Sequence, residues 1–261
     1  MQKVTHSEYI AQKKPLAKQL LAKLNEKYQY ASVLITDNYE KGYRASRSGV
    51  AISATNAFGG KGMIVKVYDG KGYAEYSTNE ITAENLPEIE REIEQQLMNP
   101  ANFIPEGTEE AEYKCISDEP CTLCEATDYE IHPREVGDEK LIETVTALRE
   151  KAVKADERIL DAITGFIYQE YHKLFLSANR ELEQSVLYST GIMALVAAKG
   201  EEIKQSFRGF SNLGGAELLD KMESAIPQCV KTVTDLLNAE PMEPGTYECI
   251  CTPEVTGMIV H

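Results

Sequence analysis

Apolar residues recur at helical spacing in four parts of the chain. They predict helices within residues 5–27, around residues 86–97, from about residue 138 to 152, and from about residue 216 to 237. Asp138 is a plausible N-cap for the third helix. Pro15 and Pro227 fall inside the first and last of them, where proline is expected to kink a helix or to begin its main part. Each helix therefore offers one apolar face to a core.

Between these helices the pattern changes to short segments rich in β-branched and aromatic residues. The first stretch predicts strands at residues 30–36, 49–55, 63–68 and 73–77. The second predicts strands at residues 162–171, 173–179, 183–189, 193–199 and 201–210. Turns are predicted at Asp37-Asn38, Asp69-Gly70, Thr190-Gly191 and Lys199-Gly200, and an Asp-Gly pair is a strong hairpin signal. A last strand is predicted at residues 246–252, before a helix that begins at Pro253.

Strands joined by tight turns and interleaved with single helices indicate antiparallel pairing. The predicted fold class is α+β, in which two helix, antiparallel-meander, helix units form a layered α/β sandwich. The units cover about residues 1–98 and 138–252 of one domain, residues 1–252. Residues 99–137 contain four prolines and many acidic residues, so this segment is predicted to be irregular, with one or two short strands such as 112–116 and 125–131.

Charge and composition narrow the class of function. The net charge is −15, from 42 acidic and 27 basic residues. This charge repels phosphate backbones, so we expect no direct contact with nucleic acid. No apolar run approaches the roughly 20 residues that span a bilayer, and residues 1–20 lack the apolar core of a secretory signal. We therefore predict a cytoplasmic protein with no membrane contact.

The cysteines offer one candidate metal site. Cys115, Cys121, Cys124 and His132 combine residue types that can bind zinc tetrahedrally. Their spacing differs from the paired CxxC patterns of known zinc sites, so free or redox-labile thiols are the alternative that the acidic, irregular context favours.

Two further cysteines and two histidines are given no role in chemistry. Cys249 and Cys251 alternate in an apolar stretch, which predicts two buried thiols on one face of a strand. His172 lies in an aromatic strand and is expected to pack in the sheet, whereas His6 is expected to be exposed.

The most specific pattern is at the C-terminus. A Pro244-Gly245 turn precedes the predicted strand 246–252, and Pro253, Gly257 and then Met258-Ile259-Val260-His261 follow in that order. This segment resembles the one that leads into the protease motif His-Glu-x-x-x-His of the TldD/PmbA family. Residues 69–77 also resemble that family's glycine–aromatic hairpin. The turn that usually reads Asn-Ser-x-Gly in the family is Asn179-Arg180-Glu181-Leu182 here, which is a departure.

The resemblance covers essentially the whole chain, and it implies a zinc metallopeptidase that cleaves peptides or unfolded protein segments. In that family the motif's two histidines and a later cysteine bind zinc, and its glutamate accepts a proton from the zinc-bound water. His261 corresponds to the first histidine, and residues 253–261 to the start of the C-terminal metallopeptidase domain. The other ligands are absent from this sequence, so we expect no catalytic residue and no bound zinc in this fragment alone. Without the upstream match, His261 would be interpreted as a solvated chain end.

Family members work as two-subunit assemblies. The resemblance therefore implies a homodimer, or a heterodimer with a TldD/PmbA-like subunit, and an N-terminal region that guides extended peptide substrates. The alternative is a non-catalytic PmbA-like partner subunit or a peptide-binding scaffold. A glutamate after His261, with a second histidine four positions later, would favour the protease. Some relatives are called modulators of DNA gyrase, but the net charge of −15 argues against direct DNA contact.

Overall fold

A single large sheet organises the chain. The structure, a computed structural model, describes residues 1–54, 60–98 and 113–261. Eight of the described strands form one sheet with the order β10-β9-β8-β2-β4-β5, in which β3 also pairs with β2 and β6 with β9, while β1 and β7 form a separate pair. The strands are β1 (Gln2–Lys3), β2 (Tyr30–Ser46), β3 (Gly49–Ala54), β4 (Lys61–Tyr68), β5 (Tyr73–Thr78), β6 (Cys121–Ala126), β7 (Asp128–Tyr129), β8 (Ile159–Ser177), β9 (Arg180–Lys199) and β10 (Glu202–Leu213).

All four predicted helices form close to their predicted bounds. The helices are α1 (Glu8–Lys27), α2 (Leu86–Met98), α3 (Pro133–Val136), α4 (Asp138–Lys154), α5 (Leu218–Leu236) and α6 (Pro253–Val260). Ser7 caps α1 because its hydroxyl accepts a hydrogen bond from the backbone N–H of Ile10 at 3.1 Å. The N-cap of α4 is Gly137 and not Asp138, which lies in the first turn.

The α+β class and the predominantly antiparallel pairing are confirmed, and β6–β9 is the parallel pair among the described strands. The two predicted meanders, however, are joined into one sheet. Strand β2 pairs with β8 from Ser32 opposite Ser177 to Ala45 opposite Thr164. The sandwich is therefore built on one shared sheet, and the second meander consists of three long strands.

Two predicted turns are wrong. Asp37 and Asn38 lie inside β2, where they pair with His172 and Tyr171 of β8. Gly191 lies inside β9, at a point where α5 approaches so closely that an added Cβ would collide with the Met222 side chain. Glycine here permits close packing of a helix on a strand, and it does not signal a turn. The predicted turns at Asp69-Gly70 and Lys199-Gly200 are confirmed, because β4–β5 and β9–β10 are adjacent antiparallel hairpins.

The predicted irregular segment contains two short strands at other bounds than predicted, and the predicted C-terminal strand does not form. Of residues 99–137, those from 113 onward are described; residues 113–116 form no strand, and β6 and β7 replace the strand predicted at 125–131. Residues 246–252 are not a strand, and both Cys249 and Cys251 are exposed. An alternating pattern forms a strand only beside a partner, and in the described chain none pairs with this segment. The helix predicted from Pro253 is confirmed as α6.

Two apolar cores lie on the same face of the sheet, which we call the inner face. Helices α1 and α2 cover one end, where Val33 and Ile35 of β2 and Leu174 of β8 point inward. Helices α4 and α5 cover the other end, where Tyr43 of β2 and Phe166 of β8 point inward. The opposite, outer face is not covered by these four helices. Its exposed apolar residues include Ile167, Ile192 and Phe207.

The approach of α5 to the loop before α3 is tight. A Cβ added at Gly215 would overlap the carbonyl oxygen of Ile131, which also accepts a hydrogen bond from the backbone N–H of Ala216 at 2.8 Å. Because the obstacle is backbone, Gly215→Ala is expected to lower the free energy of unfolding by about 1–2 kcal/mol, measured by urea denaturation. Gly209→Ala is the matched control, since no described atom lies within 4 Å of its added Cβ. Equal losses in both variants would contradict this explanation.

Candidate functional site

A band of polar side chains crosses the inner face between the two apolar cores. On β8 the inward positions change from Phe166 and Tyr168 to Glu170 and His172, and then return to Leu174. The cross-strand neighbours of His172 are Asp37 on β2 and Ser185 on β9, so the band runs across three strands. We define the polar band as Asp37, Tyr39, Glu170, His172, Glu183 and Ser185.

Ser185 links two histidines in the middle of this band. Its hydroxyl lies 2.9 Å from Nδ1 of His172 and 2.9 Å from Nδ1 of His6, and the residue is only 1% exposed. A serine hydroxyl has one proton to donate, so at least one of the two imidazoles must present an N–H to it. The two tautomers are therefore coupled through Ser185.

The N-terminal segment brings His6 to the band. Strand β1 pairs with β7, and the backbone N–H of Val4 donates to the carbonyl of Thr127 at 3.0 Å. Thr127 in turn donates its N–H to the carbonyl of Ser185, also at 3.0 Å. These contacts hold His6 half-buried, with Nε2 located 3.4 Å from Sγ of Cys124 on β6.

Glu170 is the buried acid of the band. One of its oxygens lies 2.9 Å from Nε of Arg134 and 3.7 Å from Nε2 of His132, and the other lies 3.7 Å from Nε2 of His172. The Arg134 contact is an ion pair without a well-aligned hydrogen bond. Burial by itself raises the pKa of Glu170, but the contact with His172 and the charges of Arg134 and His132 outweigh it and lower this pKa.

The four residues of the predicted second metal site are not brought together. Cys121 and Cys124 are three positions apart on β6, so their side chains point to opposite faces of the sheet. Cys124 contacts His6, whereas His132 caps α3 and faces Glu170. Within residues 1–54, 60–98 and 113–261, no group of three or more His, Cys, Asp and Glu side chains is arranged to hold a metal ion.

His261 ends α6 and is exposed. Its backbone N–H donates to the carbonyl of Gly257 at 3.0 Å, so the imidazole is carried at the end of a short helix whose described side chains are all exposed. The other ligands that the resemblance implies are not in the sequence. The role of His261 in zinc binding therefore stays a prediction.

Sequence reasoning did not find the polar band. His172 packs in the sheet as expected, but His6 is half-buried and hydrogen-bonded, and not exposed as expected. One local signal was available. Glu170 and His172 are spaced two apart on β8, between Tyr168 and Leu174 of the same alternate series, which places two polar groups on a buried face.

Comparison with known proteins rests on structure alone. No family model matches the sequence, and no curated protein matches it significantly. A proposed modulator of DNA gyrase from Bacteroides thetaiotaomicron superposes with a TM-score of 0.63 and 17% identity, covering 89% of this chain and 52% of that one. A second such protein, from Thermotoga maritima, gives 0.67 and 13%, covering 89% and 50%. TldE from Thermococcus kodakarensis gives 0.58 and 13%, covering 84% and 47%.

The chain has the TldD/PmbA fold. The resemblance drawn from the sequence is thus confirmed at the level of the fold, which is what identities of 13–17% establish. The chain spans about half the length of the solved proteins that it matches. No helix in the described residues is both long enough and apolar enough to cross a membrane.

Proposed function

We propose that this chain is the N-terminal, substrate-guiding and dimerising region of a cytoplasmic TldD-type zinc metallopeptidase that cleaves peptides or unfolded protein segments. The observation that carries the proposal is the fold, which matches over 84–89% of the chain and corresponds to about half of each solved protein. In this proposal the zinc belongs to the intact protein, and His261 is one of its ligands.

The outer face supports a partner-binding role. Ile163 of β8, Ala194 of β9 and Phe207 of β10 lie side by side across three strands. Phe207 is 79% exposed and Ile203, four residues before it on the same face of β10, is 62% exposed. A contiguous apolar face of this kind, left uncovered by the described helices, is typical of a surface that another protein covers. In the proposed assembly a second TldD/PmbA-like subunit, identical or different, covers it.

The same region offers a route for an extended peptide. Strand β10 is the last strand at one end of the sheet order, so its free backbone edge can accept a further strand. A groove of about 330 Å³ lies beside it, lined by Ile163, Val196 and Phe207 among others. The edge would provide main-chain hydrogen bonds, and the groove would take an apolar side chain of the peptide.

The outer face and the edge of β10 also fit a non-catalytic partner subunit or a peptide-binding scaffold, because neither surface needs a metal to bind a protein or a peptide. The two functions are separated by measuring bound zinc and hydrolysis of an unfolded protein in the gene product that contains this chain. The proposal expects both, and it expects His261→Ala to abolish both while the fold is retained. A product without zinc and without hydrolysis would leave the scaffold function in place of the peptidase.

Self-association through the outer face is testable on this chain. Phe207→Ser is expected to weaken the dimer at least tenfold, because it removes a large exposed aromatic ring from the centre of the proposed interface. The dissociation constant is measured by sedimentation equilibrium. Met242→Ser is the control, since Met242 is 80% exposed but lies in the C-terminal segment. A dimer that both variants leave unchanged would exclude this face as the interface.

A further inference from the structure

The contact between Cys124 and His6 has the geometry of a nucleophile and its base. We propose that Cys124 is a reactive thiol, served by His6 as general base, and that it exchanges with low-molecular-weight disulfides to form a mixed disulfide. The proposal concerns a site on the inner face and does not depend on the peptidase function.

The thiol and the imidazole are within reach of each other and of solvent. Sγ of Cys124 lies 3.4 Å from Nε2 of His6, a distance at which a thiol proton can pass to an imidazole nitrogen. Cys124 is exposed, so a small disulfide can approach the sulfur. The backbone of β6 is fixed by its parallel pairing with β9, where Cys124 lies opposite Glu183.

A third group orients the base, as nucleophilic sites require. Nδ1 of His6 contacts the buried hydroxyl of Ser185 at 2.9 Å, so the ring turns its other nitrogen toward the sulfur. Ser185 is itself held by Nδ1 of His172 at 2.9 Å. The contacts therefore connect the exposed thiol of Cys124 to the buried polar band through His6. The band orients the His6 ring by binding its Nδ1.

A carboxylate lies beside the His6 ring, on the side that faces Ser185. Oε1 of Glu183 lies 3.8 Å from Nδ1 of His6, and the same carboxylate is bound by Nζ of Lys14 at 2.9 Å. Glu183 thus places negative charge on the side of the ring away from the sulfur.

The exchange balances without any further reactant. His6 Nε2 takes the proton of the Cys124 thiol, and the thiolate attacks one sulfur of the disulfide. The disulfide's S–S bond breaks while a new S–S bond forms between Cys124 and the attacked half. The other half leaves as a thiolate and takes the proton from His6. One disulfide and one thiol are consumed, and one mixed disulfide and one thiol are produced.

Cys121 provides an internal comparison. It lies on the same strand, is also exposed, and points to the outer face, where no imidazole bonds its thiol among the described residues. Three residues of strand separate the two Cα atoms by roughly 10 Å, which exceeds the limit of about 7 Å for a disulfide. The strand therefore keeps both thiols available for reaction with external disulfides.

The experiment uses two variants of the full chain, each with a single exposed cysteine. Serine replaces the other exposed cysteines, and the buried Cys229 is retained. The rate of reaction with dithiobis(nitrobenzoate), an aromatic disulfide, is followed by absorbance at neutral pH. The Cys124-only protein is expected to react at least about tenfold faster than the Cys121-only protein. Glutathione disulfide, with mass spectrometry of the product, is expected to modify Cys124 before Cys121.

Two further measurements identify the cause. His6→Gln in the Cys124-only protein is expected to reduce the rate to that of Cys121, with circular dichroism used to verify folding. In urea the contact between Cys124 and His6 is lost, so the Cys124-only and Cys121-only proteins are expected to react at the same rate. This measurement needs no substitution of His6. Equal rates in the folded proteins, or an unchanged rate after His6→Gln in a folded protein, would overturn the proposal.

Discussion

Replacement of Phe166 by alanine is expected to lower the free energy of unfolding by about 4 kcal/mol. Phe166 is fully buried, and its ring stacks with that of Tyr43 on the neighbouring strand at a centroid distance of 6.5 Å. The ring also lies in the core that α4 and α5 cover. Truncation would leave a large cavity at a position where the sheet cannot collapse, since β2 and β9 fix β8 on both sides.

Urea denaturation measures this loss, and Phe166→Leu is the matched variant. Leucine keeps most of the apolar volume, so we expect it to lose less than half as much stability as alanine does. If the two substitutions cost the same, loss of the aromatic contact and not the cavity would be the dominant effect. A loss below about 1 kcal/mol for alanine would mean that Phe166 is not part of a close-packed core.

Glu170→Gln is expected to have the second largest effect, about 3 kcal/mol of destabilisation. The substitution removes a buried negative charge and leaves Arg134, His132 and His172 around a neutral group. We expect the lower end of the range for a broken buried ion pair, because the Arg134 side chain is 53% exposed and partly hydrated. The control is Glu201→Gln, which changes the same functional group at an exposed turn position.

The same substitution should change the response to acid. The folded protein lowers the pKa of Glu170 below its ordinary value of 4.5, so the folded state binds this proton less readily than the unfolded chain does. The stability that the carboxylate contributes is thus fully present above about pH 4.5 and is lost as the pH falls through the lower, folded-state pKa. Below pH 4.5, the Glu170→Gln variant should lose less stability with falling pH than the wild type does. Identical slopes in the two proteins would contradict the role assigned to Glu170.

The helices were predictable because their signal is local. In α1, Leu20 and Leu24 repeat at helical spacing beside a serine N-cap, and one packed face is enough to define such an element. The Asp69-Gly70 hairpin was predictable for the same reason, since the dipeptide itself sets the turn. These elements need no information from distant parts of the chain.

Strand length and the candidate site depend on distant partners. The dipeptide Asp37-Asn38 is typical of a turn, but in the structure β2 continues through it, paired with β8. Each added residue pair satisfies backbone hydrogen bonds on both strands, which outweighs the local turn preference. Residues 246–252 are predicted to form a strand but do not, since no strand of the described chain pairs with their alternating pattern. Beside the polar band, the contacts of His6 with Ser185 and with Cys124 join residues from three separate regions of sequence. No spacing rule connects such residues, so only the register of the sheet reveals their contacts.

The long ladder between β2 and β8 also bears on how the molecule unfolds. Each of these strands contributes side chains to both apolar cores, so separating either helical layer from the sheet disturbs strands on which the other layer depends. Unfolding of one apolar core is therefore expected to destabilise the other through the strands that they share. We expect the two cores to unfold in one cooperative transition, because both are built on the same sheet.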